Sequence, residues 1–289
     1  MSPMATATAA SEVPLTQQRS RPRGVQAFRV ARFELLRQLR RRRMVLLLAI
    51  AGIVAAALFA VLQVFGPEGG TAYSYASTYA SSVTILAALA ATFFGADALL
   101  GEFEQRTGYV LFPQPVTRSS VFVGKLLSAL GLASMTLATY YAIIAGATWF
   151  VMGGVPVEIA YSFLLALVYT TAALGLAFLL SSALKSTTMS SVLTFALLLF
   201  VLMIVTQILT VAGVRPVGNL AFAGQTIPNI LAGPYPENYP GDTTVDFGPG
   251  GGFTQYSPAV PPSIAVMAAW AFVCFGLALY VYRRREMKG

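Results

Sequence analysis

Six long apolar runs, separated by short polar or glycine- and proline-rich stretches, organise most of this 289-residue chain. A helix needs about 20 apolar residues to cross a bilayer. The runs therefore predict six transmembrane spans, at about 44–65, 78–100, 120–151, 157–184, 187–212 and 263–282. The third and fourth runs are longer than a bilayer requires, so these helices are expected to tilt or protrude. The pattern predicts an all-α integral membrane fold.

The chain ahead of the first run divides into two parts. Residues 1–24 are rich in alanine, serine, threonine, proline and arginine, which predicts a disordered cytoplasmic tail. In residues 25–43, apolar side chains such as Phe28, Ala31 and Leu35 recur at helical spacing, with arginines beside them. This pattern predicts an amphipathic elbow helix in the membrane interface. The alternative is a cytosolic extension of the first span. Residues 25–289 are predicted to form one membrane domain.

The composition agrees with a membrane protein and excludes several kinds of site. The mean hydropathy is +0.70 and only 10% of the residues are charged, whereas soluble domains carry about 25%. The chain has no histidine and a single cysteine, Cys274. The commonest metal ligand and general base is thus missing, and no catalytic or metal site is predicted.

The basic residues predict the orientation. With both termini in the cytoplasm, every lysine and arginine except Arg215 lies on the inner side, in agreement with the positive-inside rule. The net charge of +8 is thereby explained by topology and contact with membrane lipids, and no nucleic-acid partner is predicted. The expected location is the plasma membrane.

One long segment, residues 213–262, is predicted on the outer side. It is rich in proline, glycine and aromatic residues. A short helix or re-entrant piece is expected around Asn219–Leu231, and the remainder is expected to be irregular and to cap the outer mouth.

The inner loop at 101–119 carries the most informative pattern. Glu102 and Arg106 are four residues apart and would face each other on a helix. Gly108 is suited to ending that helix, and Pro113 and Pro115 stop any further helix. Between them lie four apolar residues, 109–112, on the aqueous side of the membrane. Such an apolar segment must be shielded from water, either by lipid headgroups or by a groove on a soluble partner.

This loop resembles the first cytoplasmic loop of ABC-2-type transporter permeases. The resemblance rests on the order Asp97, Glu102, Arg106-Thr107-Gly108, Pro115, Arg118 and Gly124-Lys125. The chain departs from the family pattern in the reversed order of Thr107 and Gly108 and in Thr117, where serine is common. The elbow helix, six spans and enlarged outer segment fit the same family. The resemblance implies that the loop is a coupling element, seated in a cleft of a separate ATP-binding subunit.

The resemblance also implies roles for individual residues. Four form an apolar plug: Tyr109, Val110, Leu111 and Phe112. Glu102, Glu104 and Arg106 set its orientation and pairing, unless Glu102 and Arg106 are only a solvated surface pair. Arg118 and Lys125 anchor the start of the third span, against lipid phosphates or against the partner.

The resemblance places ATP and Mg²⁺ on a partner. The chain contains no Gly-x4-Gly-Lys-Ser/Thr motif, since Gly124-Lys125 is followed by Leu126 and preceded by Ser119 where the first glycine belongs. The expected assembly contains two ATPase subunits and a permease dimer, formed with itself or with a related chain.

Asp97 is an acid within an apolar run, near the inner end of the second span. It either reaches the interface or pairs with a cation near an inner gate. The other spans are interpreted as carrying serine, threonine and glutamine but no charge. This argues against a site for small ions inside the bundle and favours an apolar or amphipathic cargo, or a cargo handled at the outer mouth.

The sequence therefore predicts the permease subunit of an ATP-driven transporter. Export is the expected direction, because no substrate-binding domain is visible in the chain. A secondary carrier is the first alternative, but it predicts charged or broken helices paired between two halves at mid-membrane. The second alternative is a membrane scaffold or membrane enzyme, and an enzyme would need convergent acid, base or metal-binding groups.

Overall fold

The computed structural model describes residues 23–40, 42–66, 70–96, 98–100, 118–246 and 252–284. These residues form helices and one two-stranded antiparallel sheet. The helices are α1 (Arg23–Leu39), α2 (Arg42–Phe65), α3 (Ala72–Ala80), α4 (Val83–Gly95), α5 (Arg118–Met152), α6 (Glu158–Ala183), α7 (Thr187–Ala196), α8 (Leu202–Val211), α9 (Leu220–Gly224), α10 (Thr226–Asn229) and α11 (Val260–Arg284). The strands are β1 (Thr243–Asp246) and β2 (Gly252–Gln255).

Within the described residues, six helical segments are long and apolar enough to cross a membrane. They are α2, α3 with α4, α5, α6, α7 with α8, and α11, numbered here as spans one to six. The predicted all-α membrane fold is confirmed. The end of the bundle that holds the 97–118 connection is called the inner end, and the end that holds residues 213–259 is called the outer end.

The second, third and fourth spans form the centre of the bundle. In their most apolar stretches 61%, 56% and 61% of the residues are buried, against 22%, 17% and 17% in spans one, five and six. The most extensive packing between described elements joins α6 to α11, followed by α1 against α5. Spans one, five and six therefore present wide apolar faces to whatever surrounds the chain.

The second span begins at Ala72, six residues before the predicted start. Thr71 starts the helix through a capping box with Ser74, in which each side chain accepts from the other residue's backbone N–H. The sequence pattern did not indicate this start, because the tyrosines and serines of the first turns lower the local hydropathy. Tyr75 and Tyr79 are nevertheless fully buried, and Tyr140 donates to the Tyr79 carbonyl at 3.1 Å.

Close helix packing in the core depends on Gly95 at the end of α4. A Cβ atom added at Gly95 would lie 2.7 Å from the Ala177 Cβ and 3.1 Å from a Leu174 methyl group. A side chain there would thus force α4 and α6 apart. Spans four and six also pack closely at a glycine, since a Cβ atom added at Gly175 would lie 3.2 Å from the Cβ of Cys274.

A π-helical turn, Leu197–Val201, interrupts the fifth span between α7 and α8. Such turns widen the helix locally and leave a backbone group without its usual partner. The Asn219 side chain donates to the Leu202 carbonyl at 2.9 Å just beyond the turn. The connection after α8 therefore stabilises the irregular part of the span.

The outer end is more ordered than the sequence suggested. The helix expected around Asn219–Leu231 is present as α9 and α10, but the expectation that the remainder is irregular is wrong. Strands β1 and β2 pair with Thr243 opposite Gln255 and Val245 opposite Phe253. Their threonine, valine and phenylalanine side chains favour a strand. The sixth span begins at Val260 because Pro261 and Pro262 fit a first helical turn, where no backbone N–H donor is needed.

Candidate functional site

The predicted coupling loop joins span two to span three at the inner end. Asp97 and residues 101–117 lie outside the described residues, so the roles given to them remain predictions. This concerns Asp97, Glu102, Glu104, Arg106, Gly108, Tyr109, Val110, Leu111, Phe112 and Pro115. The two ends of the loop are described, and they show how it is attached to the bundle.

The first end, residues 98–100, is hydrogen-bonded to span four. The backbone N–H groups of Leu99 and Leu100 donate to the Ser181 hydroxyl at 3.1 and 3.3 Å. All three residues are buried. Because α4 ends at Gly95, these two N–H groups have left the regular helix and would cost free energy if they were buried unpaired. Ser181 supplies the missing acceptor.

The second end, at the start of α5, is hydrogen-bonded to span six. The Arg283 guanidinium donates to the Ser119 hydroxyl through Nη2 at 2.7 Å and Nε at 3.2 Å. One turn further, the Phe122 ring packs edge-on against Phe178 of span four and at a tilt of 43° against Tyr282 of span six. Arg118 is the first residue of α5. Its predicted anchoring role is not tested by these contacts.

The elbow helix packs directly on the same part of α5. Gly124 is the contact point: a Cβ atom built there would lie 2.7 Å from the Cβ of Val30 and 2.8 Å from the carbonyl oxygen of Ala27. Two turns further along α5, Gly131 faces Leu35. Glycine at position 124 therefore allows the backbones of α1 and α5 to approach closely.

Lys125, the neighbour of this glycine, is only 3% exposed. Its ammonium group donates to the carbonyl oxygen of Ala98, across the base of the loop. The sequence predicted that Lys125 would contact lipid phosphates or the partner subunit. In the structure its contact with Ala98 lies inside the chain, so any effect of Lys125 on a partner would pass through the loop and the elbow helix.

The positive charge of Lys125 also affects the pKa of Glu34, the one acid in the sequence of the elbow helix. Glu34 is buried and forms a 2.5 Å ion pair with Arg37 and a 3.1 Å hydrogen bond with Gln38. Burial raises the pKa of Glu34, but the charge of Lys125, the Gln38 amide and Arg37 together outweigh it. The pKa of Glu34 therefore lies below its ordinary value of 4.5.

This lowered pKa predicts a pH-dependent stability. A lowered carboxyl pKa contributes stability above its ordinary value, and the contribution is lost as the pH falls through the lowered value. We expect Glu34→Gln to destabilise the protein at pH 7 by about 1.5 kcal/mol, the loss typical of a hydrogen bond to a charged group. The difference should shrink as the pH falls below 4.5, and it should be lost once the pH is below the lowered pKa, where the wild-type carboxyl is neutral in the folded protein too. Thermal unfolding in nanodiscs, at pH 7 and below pH 4.5, measures the stability difference between Glu34→Gln and the wild type. A difference that does not change with pH would contradict the stabilising role of the Glu34 charge.

The loop base is therefore a set of buried or bonded residues at the inner ends of α1, α4, α5, α6 and α11. Its members are Glu34, Ala98, Leu99, Leu100, Ser119, Phe122, Gly124, Lys125, Ser181 and Arg283. The arrangement suits a mechanical role. A displacement of the loop at this point would act on the elbow helix and on spans two, three, four and six together.

A buried acid at the outer end corrects one conclusion drawn from the sequence. The spans other than the second were interpreted as free of charge, but Glu158 is the first residue of α6 and only 4% exposed. One carboxylate oxygen accepts from the Tyr235 backbone N–H at 3.2 Å, and the other has no hydrogen-bond partner among the described residues. Glu158 thus fixes the 234–236 turn to span four.

The comparison with known families agrees with this architecture. The family model described as "ABC-2 family transporter protein" matches residues 29–287. The chain belongs to the ABC-2 transporter family. The match begins within the elbow helix and continues past the end of α11, so it covers every span and the loop base. Among curated proteins, none matches the chain.

The family settles the general role of this ABC-2 permease. It is the membrane component of an ABC transporter, it is not itself the catalytic component, and the family implies partnership with an ABC ATPase subunit. With six helices able to cross a bilayer in the described residues, it is a multi-pass membrane protein.

Proposed function

We propose that this ABC-2 permease belongs to an ATP-driven exporter of the plasma membrane. Two copies of a separate ATPase subunit bind ATP and Mg²⁺, and each contacts the 101–119 loop of one permease in a permease dimer. Closure of the ATPase subunits moves the loop. The movement then shifts the spans between two arrangements, through contacts that differ between those arrangements.

The observation that supports this proposal is the attachment of the loop. A coupling loop can transmit a displacement to the spans only if its two ends are bonded to them. Here one end is bonded to Ser181 and the other to Arg283, and Lys125 joins the first end to the start of span three. These bonds connect the loop to spans three, four and six.

The dimer is supported by the faces that the chain leaves uncovered. Spans one, five and six are the least buried, and each exposes large apolar side chains such as Ile53, Ile208 and Phe272. In a bilayer such faces are covered by lipid or by another helix. A second permease subunit on part of this surface would complete the proposed assembly.

Co-purification with the candidate ATPase subunit tests the coupling role. In the double variant Glu102→Lys, Phe112→Ala, one change reverses a charge at the loop and the other truncates the apolar plug. We expect this variant to insert into the membrane as the wild type does, but to lose the ATPase subunit and the stimulated ATPase activity. Both changes lie in the loop and leave the described loop base intact.

The matched control makes the same two chemical changes at the outer end. Phe65 is 82% exposed at the end of α2, and Glu237 is exposed in the outer segment. The variant Phe65→Ala, Glu237→Lys is expected to retain the partner and full stimulation. If the loop variant also retains both, the coupling role is refuted, although membership of the family would stand.

A further inference from the structure

A cavity of about 250 Å³ opens at the outer end, between the base of the β1–β2 hairpin and the short helices α9 and α10. Its walls carry three carboxamide side chains and three hydroxyl-bearing side chains, together with two prolines and a glycine. The polar groups belong to Gln225, Asn229, Thr243, Gln255, Tyr256 and Ser257. The volume is slightly below the 300–1,000 Å³ of cavities that hold drug-sized ligands. It therefore suits a small ring.

Among the described residues, the lining of this cavity carries no charged side chain. The nearest acid along the chain, Asp242, has one carboxylate oxygen that already accepts from Arg215 at 3.0 Å and from the Ser257 backbone N–H at 2.9 Å. An ionic ligand would find no counter-ion in these walls. Carboxamides and hydroxyls instead offer both donors and acceptors, which matches a neutral ligand with several hydroxyl groups.

Hydrogen bonds from neighbouring residues fix parts of the cavity lining in place. Arg215 bridges Asp242 and the Ser257 carbonyl, at 3.0 and 2.8 Å. The Tyr256 hydroxyl donates to the Gly213 carbonyl at 2.8 Å, and the Arg215 guanidinium lies over the same ring at 5.8 Å from its centroid. Both contacts fix the ring in the wall. A preorganised site of this kind binds with less loss of side-chain entropy.

The floor of the cavity is bonded to the central spans. The Ser77 hydroxyl of α3 donates to the Pro228 carbonyl at 3.2 Å, and the Ser162 hydroxyl of α6 donates to the Ile227 carbonyl at 2.8 Å. Ser162 in turn lies 2.8 Å from the Tyr141 hydroxyl of α5. A ligand in the cavity would therefore sit on a segment bonded directly to spans two and four.

We propose that this outer cavity binds a neutral saccharide ring, presented either as a free sugar or as the headgroup of a glycolipid. Gln225 belongs to the helical side of the lining and Gln255 to the hairpin, and in this proposal their carboxamides bond ring hydroxyls. The ring of Tyr256 covers an apolar C–H face. Binding at this cavity does not depend on the coupling role of the loop, because neither the ATPase subunit nor residues 101–117 contribute to it.

The test uses the full chain in nanodiscs without any ATPase subunit. In one arm free maltose is titrated and followed by saturation-transfer NMR. In the second arm the nanodisc contains a neutral monoglucosyl lipid, and protection of the protein against thermal unfolding is measured. Glucose 6-phosphate serves as the charged probe. We expect saturable binding of at least one neutral sugar source and at least tenfold weaker binding of the phosphate.

Two variants identify the cavity as the site. Gln225→Leu and Gln255→Leu each remove a hydrogen-bonding group from the lining and should weaken sugar binding at least threefold. Gln63→Leu makes the same change at an exposed position of α2 and should bind as the wild type does. Saturation only with the glycolipid supports the headgroup as the source, and saturation with maltose supports a free sugar. Absence of saturable binding in both arms, or equal binding by all three variants, overturns the proposal.

Discussion

Replacement of Gly124 by leucine is expected to detach the elbow helix and to leave little correctly folded protein. The added Cβ alone would lie 2.7 Å from the Val30 Cβ and 2.8 Å from the Ala27 carbonyl oxygen. Neither atom can move without the backbone of α1, and leucine adds three further carbons in the same place. Overpacking typically costs about 1–3 kcal/mol and sometimes more. Here we expect the upper end of that range or beyond, measured as a lower melting temperature in detergent and as tryptic cleavage within α1.

Gly146 provides the matched control for this prediction. It lies in the same helix, α5, and a Cβ atom added there would have no neighbour within 4 Å. Gly146→Leu should therefore melt like the wild type, or slightly higher, since glycine is a poorer helix former than leucine by several tenths of a kcal/mol. If Gly124→Leu shows the wild-type melting temperature and tryptic pattern, the close approach of α1 and α5 is not what holds the elbow helix.

Long apolar runs were sufficient to predict most of the spans. Spans three and four were placed within about two residues of their observed ends, because Gly153, Gly154 and Pro156 interrupt an otherwise continuous apolar pattern. Span two was placed too late for a physical reason. Its first turns, 72–80, are rich in hydroxyl groups, which bond within the helix, as Thr78 does to the Ser74 carbonyl, or to a distant segment, as Ser77 does to the Pro228 carbonyl.

The β-hairpin was missed because its strands are only four residues long. Alternation over so short a stretch does not distinguish a strand from an irregular connection. Glu158 was missed for a related reason: one acid at the first position of a long apolar run has little effect on its hydropathy. Its burial depends on Tyr235, which is 77 residues away in the chain.

The sequence motif singled out the predicted coupling loop, whose role stays a prediction, but the motif did not show how the loop is attached. The motif between Asp97 and Lys125 pointed to the correct family, which the match over residues 29–287 establishes. The residues that hold the loop, Ser181 and Arg283, lie 57 or more residues beyond the motif's last glycine, Gly124. They carry no local signature, and a single sequence gives no information on such long-range pairs. One local signal was available. Glu34 is the only acid among the arginines of the elbow helix, and a lone acid in a basic amphipathic helix indicates a specific partner.

Glu34 and Lys125 together link the elbow helix to the loop. The elbow helix packs against α5 through Gly124, and the next residue carries the ammonium group that bonds Ala98. The same ammonium group lowers the pKa of Glu34. Movement of the loop therefore changes the surroundings of a charge on which the elbow helix depends. We therefore expect the elbow helix to be coupled to the loop by electrostatics as well as by packing.

Lys125→Met is the variant expected to break this link. Methionine keeps the apolar stem and removes the ammonium group, so that the Ala98 carbonyl loses its donor and the buried Glu34 carboxylate loses a neighbouring positive charge. Removal of one partner from a buried charged arrangement costs about 3–5 kcal/mol. We expect a loss of that order, measured by thermal unfolding in nanodiscs. Lys185→Met makes the same chemical change at an exposed inner-end lysine and should alter stability by no more than about 0.5 kcal/mol.

A double-mutant cycle decides whether the loss reflects the charge on Glu34 or only the bond to Ala98. If the two charges interact, Glu34→Gln should be less harmful in the Lys125→Met background than in the wild type, because the carboxylate that was left without its counter-charge is gone. The coupling should be at least about 0.5 kcal/mol, the lower end for residues in contact or in one network. Strictly additive losses would show that Lys125 acts through Ala98 alone, and would remove the electrostatic connection between the elbow helix and the loop.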